Sequence, residues 1–284
     1  MNVPNRAALI SKTHKVLKKH YRPVQPQSER TVLEHLLYAC CLENSLHQDA
    51  DDVFAKLLES YFDWNEIRVT TTRELASAMS GLLDPSDSAR RLKATLQSVF
   101  ETHYSFDLDF YKKQNLGKAV KEFERLKGVT PFSISYLTQN ALVGHSIPVN
   151  EGALQAFYVL GVVTEAEAKK RRTPGLERAI PKSKGVEFAS LLHQVGVDFR
   201  KSPFSNNVRA IFLEITPDAK ERLPKRPAKK SKSVTKKSSG TAKKAPAKAS
   251  ASAAKKKKKV AKKAATPAKK KASTSKALKK KKPR

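Results

Sequence analysis

Apolar residues recur every three or four positions through much of the chain, which is the spacing of helices that bury one face. Helices are predicted wherever this spacing persists, over residues 28–42, 53–62, 72–81, 85–103, 116–126, 131–143, 150–160 and 184–196. The alternation typical of half-buried strands is nearly absent. The pattern therefore predicts an all-α domain.

Local signals refine the ends of several of these helices. Thr72 is expected to cap the third helix, which Gly81 ends, and Asp84 with Pro85 opens a longer helix. Residues 1–22 are either a short basic amphipathic helix or a loose arm, and Pro23 and Pro26 break the chain after it.

Charge divides the chain into two unequal parts. The protein has 57 Lys and Arg against 26 Asp and Glu, a formal charge of +31. Residues 225–284 hold 26 of these bases and no acid, so the tail carries +26 and residues 1–224 carry +5. A segment of Lys, Ala, Ser, Thr and Pro with this charge density has too little apolar surface to fold. We therefore predict a disordered basic tail.

The tail also indicates a partner. Polycations bind polyanions, and nucleic acid is the commonest of these; a solubility device, a membrane-surface anchor and an acidic protein partner are the alternatives. Ala-Lys-Pro repeats lack the apolar or lipid group that membrane attachment needs. The predicted organisation is a basic arm or helix over residues 1–26, a helical domain over 27–224 and the tail over 225–284.

Other features exclude several classes of protein. The two cysteines, Cys40 and Cys41, are adjacent, which does not suggest a disulfide framework. The chain shows no signal-peptide pattern, no membrane-spanning run and no Gly-rich phosphate loop, and its seven scattered histidines do not form a metal motif. We therefore expect no metal, cofactor or small-molecule substrate, and a cytoplasmic, nucleoid-associated protein, or a nuclear one in a eukaryote.

One segment resembles a known family. Leu126-Lys127-Gly128-Val129-Thr130 joins two predicted helices through a tight turn, and Pro148-Val149 then leads into a helix that ends in 157–162, Phe-Tyr-Val-Leu-Gly-Val. This order resembles the endonuclease III-like, helix-hairpin-helix-GPD family of DNA glycosylases over about residues 28–205. The resemblance implies a two-lobed helical fold whose hairpin binds a DNA phosphate through backbone N–H groups. The tail separately resembles those of linker histones in composition.

The same resemblance places non-catalytic residues at the catalytic positions. The family's aspartate corresponds to Asn150, its Schiff-base lysine to Phe132 and its base-displacing glutamine to Cys40. An amide cannot take a proton usefully, and a phenyl ring has no amine. No cysteine follows Cys41, so the family's iron–sulfur cluster cannot form. Glu151 could restore a carboxylate, although a one-residue shift turns a helical side chain by about 100°.

These observations leave three hypotheses. The favoured one is a sequence-independent protein that binds duplex DNA on a catalytically degenerate glycosylase fold, with RNA left open as a competing partner. The second is an active DNA glycosylase or apurinic-site lyase that uses Glu151, and the third is a protein-interaction module whose tail alone binds the polyanion. The predicted DNA contacts come from the hairpin and a later basic run: Lys127, Gly128, Val129, Thr130, Ser133, Lys169, Lys170, Arg171 and Arg172.

Overall fold

The structure, a computed structural model, describes residues 5–225, and the basic tail lies outside this range. Fourteen α-helices and one 3₁₀ helix make up the described part, which contains no strand. The helices are α1 Arg6–His20, α2 Val32–Leu42, α3 His47–Ser60, α4 Trp64–Val69, α5 Thr72–Ala78, α6 Pro85–His103, the 3₁₀ helix Asp109–Lys113, α7 Leu116–Phe123, α8 Pro131–Asn140, α9 Glu151–Leu160, α10 Glu165–Lys169, α11 Leu176–Ala179, α12 Lys182–Lys201, α13 Asn206–Ile215 and α14 Ala219–Arg222. The predicted all-α class is confirmed.

Two apolar cores divide these helices into two lobes. Helices α2 to α8 enclose the first core, built around residues such as Leu36, Leu96 and Phe123. Helix α1 and helices α9 to α14 enclose the second, built around residues such as Phe157 and Phe188. The chain therefore begins in the second lobe, crosses to form the first and returns.

The N-terminal segment is a helix and not a loose arm. Leu9, Ile10, Val16 and Leu17 repeat at helical spacing and are buried in the second core. Asn5 caps the helix by accepting from the backbone N–H of Ala7 at 3.1 Å. Burial of this apolar face stabilises α1 more than its propensity could. The boundary at residue 26 stays a prediction.

Capping side chains fix the ends of several helices. Asp84 caps α6 ahead of Pro85, as expected. The predicted cap at Thr72 is wrong by one residue: Thr71 is the cap, because its hydroxyl and Glu74 form a reciprocal capping box that sets the register. No described helix is long and apolar enough to cross a membrane.

Helices α9 and α12 cross in direct backbone contact. A Cβ on Gly152 would lie 2.0 Å from the carbonyl oxygen of Gly196, and a Cβ on Gly196 would lie 2.4 Å from Asn150 Oδ1. Only glycine at both positions allows this approach. The crossing places the start of α9 against the middle of α12, and this contact builds the site described next.

Candidate nucleic-acid interface and interlobe site

The turn between α7 and α8 is held against α6. Gly128 has φ +86°, and a Cβ there would lie 2.5 Å from the carbonyl oxygen of Arg91. The backbone N–H of Lys127 donates to Ser98 Oγ at 3.1 Å. Thr130 then caps α8 by accepting from the backbone N–H of Ser133, also at 3.1 Å. The hairpin is therefore a fixed element.

The hairpin presents unused donors. Within the described part of the chain, the backbone N–H groups of Gly128, Val129 and Thr130 have no hydrogen-bond partner, and the Lys127 side chain is exposed. Successive free N–H groups at a helix start, next to a cation, form a concavity suited to an anion. Ser133 is fully buried, so its side chain does not reach this surface.

The basic run after α10 lies close to the same surface. Arg171 is exposed in the left-handed conformation, with φ +51°, and borders a small cavity together with Pro131, the first residue of α8. Lys170 and Arg172 are exposed, and Lys169 pairs with Glu165 at 2.7 Å. Two segments that are distant in the sequence are thus brought together.

Asn150 is a buried cap whose side chain is fully used. It is 1% exposed, and its Oδ1 accepts from the backbone N–H of Ala153 at 2.7 Å. Its Nδ2 lies 3.1 Å from His193 Nδ1 and 3.4 Å from the His193 carbonyl oxygen. The amide links the start of α9 to α12.

The contacts of His193 define its protonation. Its Nε2 lies 2.8 Å from the carbonyl oxygen of Ser45, which can only accept, so Nε2 carries the hydrogen. Burial, with the neighbouring His47 as a second cause, lowers the pKa of His193 to about 3. The ring is therefore neutral at pH 7, and its Nδ1 accepts a hydrogen bond from Asn150.

Phe132 meets the same histidine from the other side. Its ring lies 5.6 Å from the His193 ring and is stacked on Tyr136 with centroids 6.2 Å apart. The side chain is 3% exposed. The positions that the resemblance assigned to a catalytic lysine and a catalytic aspartate therefore converge on one neutral imidazole.

Glu151 forms an ion pair with Arg200 on α12. Its side chain is 42% exposed and borders the small cavity that Asn150 also borders. The carboxylate lies near the candidate site, but an arginine compensates its charge.

Sequence reasoning missed a second carboxylate at this place. Glu43 is 6% exposed, is ion-paired with Arg91 and accepts from Thr130 Oγ1 at 2.9 Å. It thereby joins α2, α6 and the hairpin. The burial of this carboxylate could have been predicted from its spacing, since Glu43 follows the buried Leu36 and Cys40 on one helical face.

Cys40 does not face the candidate DNA surface. It is fully buried between α2 and α6, with its Sγ 3.6 Å from the Leu36 carbonyl oxygen. Burial raises the pKa of its thiol to about 11, so it is an inert core residue at neutral pH.

Two small cavities flank this cluster of side chains. The outer cavity, of about 20 Å³, is bordered by Glu43, Pro131, Phe132, Val149, Asn150, Glu151, Leu154 and Arg171. The inner cavity, of about 40 Å³, lies between the lobes, and its walls include Arg30, Tyr38, His47, Asp51, Phe132 and Tyr136. Arg30 pairs with Asp51 at 3.0 Å and lies 3.7 Å over the Tyr38 ring, so the charged side chains Arg30 and Asp51 of this wall compensate each other, whereas the buried Nδ1 of His47 has no hydrogen-bond partner among the described residues.

Comparison with known proteins identifies the fold. No protein-family model and no curated protein matches the chain. A trapped endonuclease III–DNA covalent intermediate superposes with a TM-score of 0.53 and 14% identity, over 78% of this chain and 99% of that one. A non-covalent endonuclease III–DNA complex gives 0.53 and 14%, over 77% and 98%. A thermostable thymine-DNA glycosylase gives 0.47 and 16%, over 68% and 85%. The two endonuclease III superpositions confirm the endonuclease III-like helical fold that the sequence resemblance implied.

Proposed function

We propose that this protein binds duplex DNA without sequence preference and does not cleave glycosidic bonds. The observation that carries the proposal is the state of Asn150, which is buried, uncharged and committed to His193 and to the cap of α9. A glycosylase needs a carboxylate that stabilises a cationic sugar or activates a nucleophile, and an amide does neither. Phe132, at the other aligned position, offers no amine.

The neighbouring carboxylates do not replace the missing one. Glu151 is paired with Arg200, and Glu43 with Arg91 and Thr130. In each case a carboxylate oxygen is already engaged by an arginine, and Glu43 also accepts from a hydroxyl group. This arrangement supports a structural role for both.

DNA binding is supported by two independent features. The hairpin offers free N–H groups beside Lys127, and Arg171 lies close to the start of the same helix. The tail adds 26 bases and no acid. Contacts of this kind read phosphates and not bases, so RNA is a competitor to be tested and association with chromosomal DNA is the expected location.

The first experiment measures fluorescence anisotropy of a labelled duplex between 50 and 200 mM salt. If 6–10 charges meet phosphates, affinity should fall by ~10³–10⁵ across this range. Removal of residues 225–284 should flatten the slope and leave weaker binding by the helical domain. An affinity that changes neither with salt concentration nor on removal of residues 225–284 would contradict the proposal.

A second measurement separates this function from that of an interaction module whose tail alone binds the polyanion. A photocrosslinker is placed at Lys127 and, in a second variant, at Lys56, which is an exposed site on the first lobe. The yield of crosslinking to DNA should be higher at Lys127. Crosslinking to DNA at Lys127 alone supports hairpin contact. Equal or absent crosslinking at both favours the interaction module.

An active glycosylase remains the second candidate because Glu151 is partly exposed and borders the outer cavity beside Asn150. Incubation with duplexes that carry damaged or mismatched bases tests it. Base release by the wild type that is lost in Glu151→Gln and kept in Glu165→Gln, an exposed acid on α10, would replace our proposal with this one.

A further inference from the structure

One side chain lies on the wall that the two cavities share. Phe132 is the one described residue that borders both the outer and the inner cavity. The outer cavity adjoins the start of α8, next to the hairpin, and the inner cavity lies between the lobes beneath residues 24–27. Truncation of this side chain would therefore enlarge both cavities at once.

Neighbouring rings hold Phe132 in this place. Tyr136 stacks on one side at 6.2 Å, and His193 lies on the other at 5.6 Å. Tyr136 in turn packs 5.8 Å from Tyr38, and His193 packs edge-on 4.9 Å from His47. A ring packed on both sides has little rotamer freedom, so it does not swing aside without disturbing both lobes.

The volumes of the two cavities are too small for a nucleobase while the Phe132 ring is in place. Cavities of about 20 and 40 Å³ hold one to a few waters and no aromatic ring. By comparison, an apolar void of about 150 Å³ is enough to bind benzene in a protein interior. Truncation of Phe132 to alanine would free the space of one six-membered ring and join it to both existing cavities.

We propose that Phe132 is a plug that keeps nucleobases out of the space between the lobes. This inference rests on the proposed function, since it explains how a protein with a glycosylase-like fold could bind duplexes without extruding a base. An enzyme that acts on a base must take it out of the helix into a pocket. With the plug in place, a bound duplex stays fully stacked, and without it the chain has room for a pyrimidine.

The direct test uses free 5-fluorouracil as the probe, observed by ¹⁹F NMR. Phe132→Ala should bind it saturably and at least tenfold more tightly than the wild type. Phe123→Ala is the matched control because Phe123 is similarly buried in the first core but borders neither cavity. Phe132→Tyr, which keeps a ring in place, should behave as the wild type.

Two results would overturn the inference. One is a folded Phe132→Ala that binds the probe no better than Phe123→Ala, and the other is wild-type protein that already binds it as tightly. If Phe132→Ala does not fold, the same binding measurement is made with Phe132→Leu. This variant frees less space, so it should bind the probe more tightly than the wild type but more weakly than expected for Phe132→Ala.

A duplex experiment separates this inference from the proposed function. A fluorescein-labelled duplex carries one 5-fluorouracil opposite guanine, a mismatch that lowers the cost of extrusion. Anisotropy reports binding, and the ¹⁹F shift reports unstacking, which is expected only with Phe132→Ala. The plug is refuted if the wild type unstacks the 5-fluorouracil. It is also refuted if Phe132→Ala binds the duplex and the base stays stacked. Absence of binding by every variant refutes the proposed function, while the free-base result still decides the plug.

Discussion

Asn150→Asp is the most informative single change, because it restores the carboxylate that the resemblance expects and places it against a neutral ring. The new carboxylate would keep the cap of α9, accepting from the Ala153 N–H as Asn150 Oδ1 now does at 2.7 Å. Its second oxygen would replace the amide nitrogen 3.1 Å from His193 Nδ1, where two lone pairs would face each other. Either His193 or the new carboxyl group must then take up a proton.

The magnitude follows from the pKa of the imidazole. Protonation at pH 7 of a group whose pKa is about 3 costs about 5 kcal/mol. Attraction between the resulting charges returns about 4 kcal/mol at 4 Å and an effective dielectric constant of 20. Desolvation of the buried carboxylate adds to the deficit. We expect Asn150→Asp to lower the free energy of unfolding by about 2–4 kcal/mol, or Tm by roughly 5–15 °C, and to shift the pKa of His193 upward.

The assay combines urea unfolding with ¹⁵N NMR of labelled imidazoles across a pH series. Asn115→Asp is the control, because Asn115 caps α7 in the same way, accepting from the Gly117 N–H at 3.0 Å, but is exposed. Its effect should stay within about 0.5 kcal/mol. An Asn150→Asp protein of unchanged stability with a neutral His193 at pH 7 would refute the hydrogen bond on which this reasoning rests. No base release is expected from it, since Phe132 still occupies the wall that the two cavities share.

Three further predictions address the hairpin, the buried ion pair of Glu43 with Arg91, and the buried His193. Gly128→Ala should lower the free energy of unfolding in urea by more than ~3 kcal/mol, because its Cβ would lie 2.5 Å from the Arg91 carbonyl oxygen. The control is Gly175→Ala, at φ +82° with no atom within 4 Å, which should cost only the ~1–2 kcal/mol of left-handed strain. Glu43→Gln should cost about 3 kcal/mol by leaving the buried Arg91 guanidinium undercompensated, and an unchanged urea midpoint would contradict the pairing. Because the pKa of His193 is lower in the folded state than the ordinary 6.5, the unfolded chain binds more protons below pH 6.5. The contribution of His193 to stability should therefore fall by up to about 1.4 kcal/mol per pH unit as the pH is lowered from 6.5 to 5. His35 and His47, whose pKa values are lowered to about 4, act in the same direction, and a flat profile would be inconsistent with buried neutral rings.

Most of the helix pattern was predictable because it depends on local spacing, whereas some helix ends were not, because contacts in the following turn set them. The helix predicted over 131–143 ends at Asn140, since the backbone N–H groups of Leu142 and Gly144 turn back to Leu137 and Thr138, with Val143 at φ +53°. Helix α13 was missed although its apolar residues repeat at helical spacing.

The candidate site was only partly predictable. A linear pattern places Asn150 and Phe132 in their helices, but their meeting at His193 depends on the crossing of α9 with α12. The burial of Ser133 and the pairing of Glu43 also arise from contacts between distant helices. The tail lies outside the described residues, so its predicted disorder and its DNA contacts stay predictions.

The side chains at this site depend on one another, so we expect single substitutions to charged residues there to be destabilising. A lysine at position 132 would put an ammonium where the ring now packs between Tyr136 and His193, and a buried cation without a partner is strongly disfavoured. An aspartate at position 150 alone faces the lone pair of the same imidazole. Introduced together, the two charges would compensate each other across His193, so their effects on stability should not add. We therefore expect either charged group, introduced alone into this neutral cluster, to lower the free energy of unfolding more than its share of the double variant.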